Sequence, residues 1–289
     1  MIIKDILKTL KVNHYIKNLT VIIPLLFSMN ILHIDLWIKC LIIFIGFCLI
    51  SSAVYVLNDL IDIENDKKHP IKCNRPIASG RISKPFAIAM LLLLLTASLA
   101  ITSKLNNLCI LMIVSYFVLN IFYSIWLKKI ALIDATCIAV GFILRIVGGC
   151  FAIGVLPSPL VILMTFFVSN FFTCTKRRLE LQFSETETRK SLKEFNIATA
   201  NQFILINAVL SISFYITYVL DASTIQKAGS EYLYLTVIPF TLIIYRLFLL
   251  INSAQIADDP IIYLEKDKTV KWLAAIYLFI LLIVLIVLK

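Results

Sequence analysis

The chain has 289 residues, of which 61% are hydrophobic and 15% are charged, and its mean hydropathy is +0.96. Soluble domains are about half apolar and a quarter charged, so this composition excludes a soluble globular protein. The net charge of +10 would indicate a nucleic-acid partner in a soluble protein, but here the basic residues lie between long apolar runs. The sequence therefore predicts an integral membrane protein with no nucleic-acid partner.

Residues 1–12 predict a short amphipathic helix. Its aliphatic residues fall on one face, and Lys4, Lys8 and Lys11 fall on the other. This pattern is typical of a helix that lies in the membrane interface. We expect residues 1–289, including this helix, to form a single membrane domain, because no soluble domain is visible in the sequence.

Nine apolar runs follow, and their length suits membrane-spanning helices rather than the alternating strands of a β-barrel. The first run is short and contains Pro24. The predicted spans are residues 19–32, 36–57, 86–103, 108–126, 131–155, 159–175, 203–220, 232–251 and 272–288.

The basic residues are distributed unevenly between the segments that join these runs. With nine crossings, one side of the membrane holds 21 of the 27 Lys and Arg residues and the other side holds four. The positive-inside rule then places the N-terminus in the cytoplasm and the C-terminus outside. We expect the protein to lie in the cytoplasmic (inner) membrane.

An acidic motif follows the second run. On a continuous helix Asp59, Asp62 and Asp66 share one face, whereas Glu64 points away from it. Stacked carboxylates repel each other unless a cation lies between them, and hard oxygen ligands at this spacing suit Mg²⁺. The alternative is a solvated acidic helix end, which leaves unexplained why acid collects on the Lys- and Arg-rich side.

The acidic motif is followed by a basic loop that contains Lys72 and Arg75. Cations beside a carboxylate cluster can hold a polyphosphate and neutralise its charge. Attraction to anionic lipid headgroups would explain most of these lysines equally well.

Residues 58–83 resemble the first aspartate-rich motif of the UbiA superfamily of intramembrane prenyltransferases, including its trailing Asn-Arg-Pro-x-x-Ser-Gly segment at residues 74–80. Further segments, in order along nearly the whole chain, resemble the decaprenyl-phosphate phosphoribosyltransferase branch. These segments are residues 14–18, 123–128, 133–149, 176–182 and 258–268. The branch usually has Trp at the place of Tyr15.

The resemblance implies an all-α bundle of about nine transmembrane helices around a cavity that opens to the cytoplasm. It implies Mg²⁺-dependent transfer of 5-phosphoribose from phosphoribosyl pyrophosphate to a polyprenyl phosphate, with release of pyrophosphate. The implied catalytic and metal-binding residues are Asp59, Asp62 and Asp66. The implied substrate-binding residues are Lys17, Asn18, Asn58, Lys72, Arg75, Tyr123, Lys128, Lys176, Arg177 and Glu180.

The chain departs from the wider superfamily after the sixth span. There the superfamily has a second acidic motif, DxxxD, whereas residues 176–181 read Lys-Arg-Arg-Leu-Glu-Leu, as in the phosphoribosyltransferase branch. An ordinary ion pair at i, i+4 would also explain Lys176 and Glu180. Arg178 lies about 100° further round the helix than Arg177, so we expect it to tolerate alanine better than Arg177 does.

Arg145 lies near the middle of the fifth span, where a charge must face the protein interior. It could anchor a phosphate or brace the helices, and a direct pair with Asp134 is excluded by about 16 Å of helical rise. Gly148 and Gly149 favour close helix packing. Asp259, Pro260 and Asp267 belong either to a substrate site or to a solvated loop.

Two other functions fit parts of the pattern. One is transfer of a prenyl group from its diphosphate to an aromatic or other acceptor, which the missing DxxxD motif disfavours. The other is transport of a phosphorylated solute, which leaves the aligned carboxylates unexplained. The sequence predicts neither the length of the lipid chain nor the oligomeric state.

Overall fold

The structure, a computed structural model, describes residues 2–28, 30–31, 33–183, 196–252 and 267–287. All regular elements within these ranges are helical, and eight helices are long and apolar enough to span a membrane. The predicted class, an all-α protein with many membrane spans, is confirmed.

The α-helices are α1 (Ile2–Leu10), α2 (Ile23–Phe27), α3 (Ile34–Ile61), α4 (Ile63–Lys68), α5 (Lys84–Thr102), α6 (Asn107–Ile125), α7 (Ile133–Ile153), α8 (Pro159–Phe183), α9 (Ile197–Leu220), α10 (Ala222–Ala228), α11 (Val237–Asn252) and α12 (Lys268–Ile286). The 3₁₀ helices are η1 (Val12–Ile22), η2 (Lys72–Asn74), η3 (Leu127–Lys129) and η4 (Glu231–Thr236).

The chain folds into two compact units. The first unit comprises Met1–Trp126 and Leu144–Pro157, and the second comprises Leu127–Ile143 and Ser158–Lys289. Helix α7 therefore contributes its first half to the second unit and its second half to the first.

The predicted N-terminal helix is present as α1. Its residue Asp5 pairs with Arg81 (Oδ1 to Nε, 3.1 Å), which ties α1 to the loop after α4. Ile3 and Leu7 remain exposed on the apolar face of α1. That this face enters the membrane interface stays a prediction.

The prediction of a single helix over residues 19–32 is wrong, because this part of the chain holds η1 and α2 instead. Pro24 lies in the first turn of α2, where its missing N–H costs nothing. The segment contacts α3 at progressively earlier positions. The contacts are Lys11 with Asp59, Tyr15 with Ser52, and Asn18 with Ser51 and Cys48, and Leu25 belongs to the same apolar cluster as Cys40.

These contacts show that the segment runs antiparallel to α3 between Asp59 and Cys40, over about 28 Å of helical rise. That length is close to the thickness of a bilayer's hydrocarbon core, about 30 Å. A 3₁₀ helix rises about 2.0 Å per residue, so a short segment covers this distance. This length supports the first crossing that the charge pattern requires. The sequence did not predict that the segment would be a 3₁₀ helix followed by α2.

Gly149 allows α7 to approach η1 closely. A Cβ atom at this position would lie 2.2 Å from the carbonyl oxygen of Val21, a residue with no exposed surface. Glycine is the only residue that permits such an approach between two backbones. The predicted packing role of this glycine is consistent with that contact.

We expect Gly149→Ala to destabilise the protein more than Gly148→Ala does. The first change forces two backbones apart, and overpacking of this kind costs about 1–3 kcal/mol or more. At Gly148 the nearest atom to an added Cβ is a ring carbon of Phe47 at 2.9 Å, and a side chain can turn away. Thermal unfolding of the two variants in detergent measures the difference. Equal melting temperatures would contradict the role given to the Val21 contact.

In the second unit, α8 and α9 pack against α11 through an apolar cluster that includes Phe171, Ile204 and Leu247. Arg178 joins the same three helices. It donates from Nε to Asn201 Oδ1 (2.7 Å) and from Nη1 to the carbonyl oxygen of Ile251 (2.9 Å). These contacts count against the prediction that Arg178 tolerates alanine better than Arg177, because the side chain is buried and holds two other helices.

Asp267 has a structural role at the start of α12. It accepts a hydrogen bond from the backbone N–H of Val270 (2.9 Å) and pairs with Arg246 (2.8 Å). The hydrogen bond from Arg246 lowers the pKa of Asp267. These contacts favour a helix cap over a substrate site, whereas Asp259 and Pro260 lie outside the described residues.

Candidate active site

The acidic motif lies where α3 gives way to α4. Asp59 is in the last turn of α3, and Asp62 is the single residue between the two helices. The Asp62 N–H donates to the Asn58 carbonyl (2.9 Å), and the Asp66 N–H donates to the Asp62 carbonyl (2.8 Å). The helical path is therefore nearly continuous, as the spacing predicts. Asp59 and Asp66 are 2% and 4% exposed, and Asp62 is half-buried.

Arg75 bridges the two buried carboxylates. Its Nη1 atom lies 3.1 Å from Asp59 Oδ1 and 2.7 Å from Asp66 Oδ2. The loop is held in place because Ser79 Oγ donates to the carbonyl of Arg75 (2.8 Å). The side chain of Arg75 is still 30% exposed, so a ligand can reach it. The structure thus joins Arg75 directly to the acidic motif.

Lys11 is a second cation at this site, although the sequence pattern predicts only that it lies on the polar face of the N-terminal helix. Its Nζ atom lies 3.7 Å from Asp59 Oδ1 and 4.6 Å from the centre of the Tyr55 ring. Burial lowers the pKa of Lys11, and the charge of Asp59 opposes that shift. The backbone of Lys11 has a left-handed conformation (φ 50°), which no local sequence pattern predicts.

The predicted site of three carboxylates is not assembled. Among the described residues, no three Asp, Glu, His or Cys side chains lie close enough to hold a metal ion by themselves. However, Mg²⁺ is commonly bound through one or two carboxylates and completes its shell with water and substrate phosphates. Asp59 and Asp66, which already converge on one cationic nitrogen, fit Mg²⁺ in this way.

Four other predicted residues of the first unit are spread along its elements. Asn58 accepts a hydrogen bond from Ser124 Oγ, next to Tyr123 in the last turn of α6. Lys17 is half-buried on η1, and Lys72 is half-buried in η2. Substrate contacts of these residues stay predictions.

Arg145 is part of a buried brace. It donates from Nε to Asn18 Oδ1 (2.7 Å) and from Nη2 to Tyr116 Oη (2.8 Å). Asn18 also donates to Ser51 Oγ (3.2 Å) and is only 1% exposed. Of the two roles considered for Arg145, these contacts favour the structural one, and they make Asn18 its partner in the protein interior.

In the second unit Arg177 lies between two carboxylates. Its Nη2 atom is 2.6 Å from Asp134 Oδ2, and its Nη1 atom is 2.7 Å from Glu180 Oε2. Arg177 and Asp134 are both buried, whereas Lys176 and Lys128 are half-buried. The helical spacing in the sequence relates Asp134 only to Arg145 of the same helix. It therefore does not predict the pair between α7 and α8.

A cavity of about 310 Å³ adjoins this ion pair, within the second unit. Its polar residues include Asp134 and Arg177, and Phe166, Phe167 and Phe203 form much of its apolar wall. Such a combination suits an amphipathic ligand, because a charged group and a hydrocarbon chain each find a matching surface.

The family model of the UbiA prenyltransferase family matches residues 21–264. The decaprenyl-phosphate phosphoribosyltransferase of Mycolicibacterium smegmatis is 29% identical over 284 residues, which cover 93% of this chain and 89% of the relative. The enzyme of the same name from Corynebacterium glutamicum is 27% identical over 245 residues, covering 82% and 73%. A solved UbiA homologue from Archaeoglobus fulgidus, bound to GPP and Mg²⁺, matches with a TM-score of 0.73 at 16% identity over 97% of this chain and 99% of that chain.

Proposed function

This chain belongs to the UbiA prenyltransferase family, and we propose that it transfers 5-phosphoribose from phosphoribosyl pyrophosphate to a polyprenyl phosphate. The observation that carries the proposal is the charge of residues 176–181. The superfamily has a second acidic motif there, which would bind the metal of a prenyl diphosphate donor, whereas residues 176–181 of this chain carry three cations and one carboxylate, and Arg177 pairs with Asp134 and Glu180. Two relatives that carry the name of this activity match most of the chain.

We assign the pyrophosphate of the donor to the first unit. Asp59 and Asp66 would hold Mg²⁺, and Arg75 and Lys72 would bind the phosphate oxygens through charge-assisted hydrogen bonds. Bound Mg²⁺ would stabilise the negative charge that collects on the departing pyrophosphate. The bond from ribose C1 to pyrophosphate breaks as the lipid phosphate oxygen bonds to C1, and pyrophosphate leaves with the electron pair.

We assign the lipid to the second unit. The aromatic wall of its cavity suits the first isoprene units of a polyprenyl chain. We place the lipid phosphate at Lys176, which precedes the cavity residue Arg177 in α8. That phosphate is already an anion at neutral pH, so the reaction needs no general base. Catalysis then rests on positioning and on neutralisation of charge.

The proposed reaction is tested with purified protein, labelled phosphoribosyl pyrophosphate and polyprenyl phosphates of several lengths. We expect a labelled lipid in the presence of Mg²⁺ and none after addition of EDTA. The second candidate is prenyl transfer from a diphosphate to an aromatic acid, and the binding of GPP by a solved homologue bears on the prenyl diphosphate donor of that reaction. A prenylated aromatic product without any labelled phosphoribosyl lipid would replace the first proposal by the second.

We propose a cytoplasmic N-terminus, on the basis of the 21-to-4 distribution of Lys and Arg. Six of the seven cysteines are buried, so Cys73→Ser yields a background with little labelling. In that background we expect Glu64→Cys to be shielded from an impermeant thiol reagent in intact cells and Lys227→Cys to react. Both residues are exposed on the protein surface. The reverse pattern would overturn the orientation.

A further inference from the structure

The turn between α1 and η1 brings a lysine to the carboxylates of the first unit. Lys11 adopts φ 50° and ψ 48°, a region that residues with a Cβ atom rarely occupy. The turn is held on both sides, because Ser52 Oγ donates to the carbonyl of Leu10 (2.9 Å) and the His14 N–H donates to the carbonyl of Lys11 (2.8 Å). Rarely populated backbone conformations that the surrounding structure holds in place are more frequent at functional sites.

Lys11 and Arg75 contact the same oxygen atom. Asp59 Oδ1 lies 3.7 Å from Lys11 Nζ and 3.1 Å from Arg75 Nη1. The ammonium group also lies over the ring of Tyr55, which favours a cation at this position. The side chain of Lys11 retains about a quarter of its exposure, so the ammonium can be reached by a ligand.

We propose that Lys11 is a diphosphate-binding residue, which serves as a counter-ion of Asp59 until the metal and the substrate arrive. A divalent cation at Asp59 competes with the lysine for the carboxylate. Once displaced, the ammonium contacts an oxygen of the diphosphate and stabilises its negative charge. This inference rests on the proposed function only in requiring a diphosphate substrate, so it applies to a ribosyl donor and to a prenyl donor alike.

The proposal predicts opposite effects of one substitution on two ligands. Asn adopts left-handed backbone readily, so Lys11→Asn removes the charge and keeps the turn. We expect Mn²⁺, measured by electron paramagnetic resonance without substrate, to bind about tenfold more tightly. We expect pyrophosphate, measured in the presence of Mg²⁺, to bind about ten- to a hundredfold more weakly. Lys11→Arg should restore both values.

Lys8→Asn is the matched control, because it removes an exposed lysine from the neighbouring helix α1 and should change neither affinity. Weaker binding of both ligands to Lys11→Asn would show a merely structural role and overturn the proposal. Unchanged affinities would overturn it as well. The probes are Mn²⁺ and pyrophosphate, so this binding test does not depend on phosphoribosyl transfer. If the expected changes in affinity are found but the protein transfers no phosphoribose, the proposed function is refuted and the role of Lys11 is not.

Discussion

Asp59→Asn and Asp66→Asn are each expected to lower kcat by roughly a thousandfold, because a Lewis acid contributes several kcal/mol to the stabilisation of a leaving group. Asparagine keeps the size of the side chain and removes the charge that attracts Mg²⁺. Both carboxylates are almost fully buried and converge on one nitrogen of Arg75. Steady-state kinetics at saturating substrate measures the loss, and titration with Mn²⁺ should show weakened metal binding.

Glu64→Gln is the control for these variants. Glu64 belongs to the same motif, but its side chain is 72% exposed and it pairs with Lys67 at 3.0 Å. The hydrogen bond from Lys67 lowers the pKa of Glu64. Because both side chains lie on the surface, loss of this bond costs little. We expect a change in kcat of less than about twofold. If Glu64→Gln lowered kcat as much as the aspartate variants do, the convergence of Asp59 and Asp66 on Arg75 would not explain why these two residues matter for activity.

Arg177→Ala is expected to reduce the amount of folded protein, whereas Lys176→Ala should fold and raise the apparent KM for the polyprenyl phosphate. Removing one partner of a buried ion pair costs about 3–5 kcal/mol, because the other charge stays buried. In Arg177→Ala the carboxylate of Asp134 would stay buried without the guanidinium that now lies 2.6 Å from it. Thermal unfolding in detergent reports the first effect, and kinetics with varied lipid concentration reports the second.

A double variant separates folding from substrate binding at this position. Replacing both members of a buried pair by apolar residues is often neutral or stabilising, so Asp134→Leu with Arg177→Met should regain much of the lost stability. If the refolded double variant has a normal KM for both substrates, Arg177 acts only as a structural residue. A wild-type melting temperature for Arg177→Ala alone would contradict the structural explanation and favour the substrate-binding role that the resemblance implies.

The spans were largely predictable because lipid leaves the backbone few options. Apolar runs in a bilayer must satisfy their own hydrogen bonds, so a run such as residues 131–155 becomes a helix, observed over Ile133–Ile153. The spacing of Asp59 and Asp66 was informative for the same reason, since a helical period converts sequence distance into a shared face. The 3₁₀ form of η1 was not predictable, because no local pattern in residues 12–22 distinguishes a 3₁₀ helix from an α-helix.

The sequence by itself determined the class of the protein, the acidic motif and the basic loop beside it, because composition and helical periodicity act over a few residues. Only the tertiary structure decided which charge meets which. Arg177 pairs with Asp134, 43 positions earlier, and Arg145 donates to Asn18, 127 positions earlier. Lys11 reaches Asp59 through a left-handed turn. Such pairs depend on how helices pack, and periodicity within one helix contains no information about the neighbour that it will face.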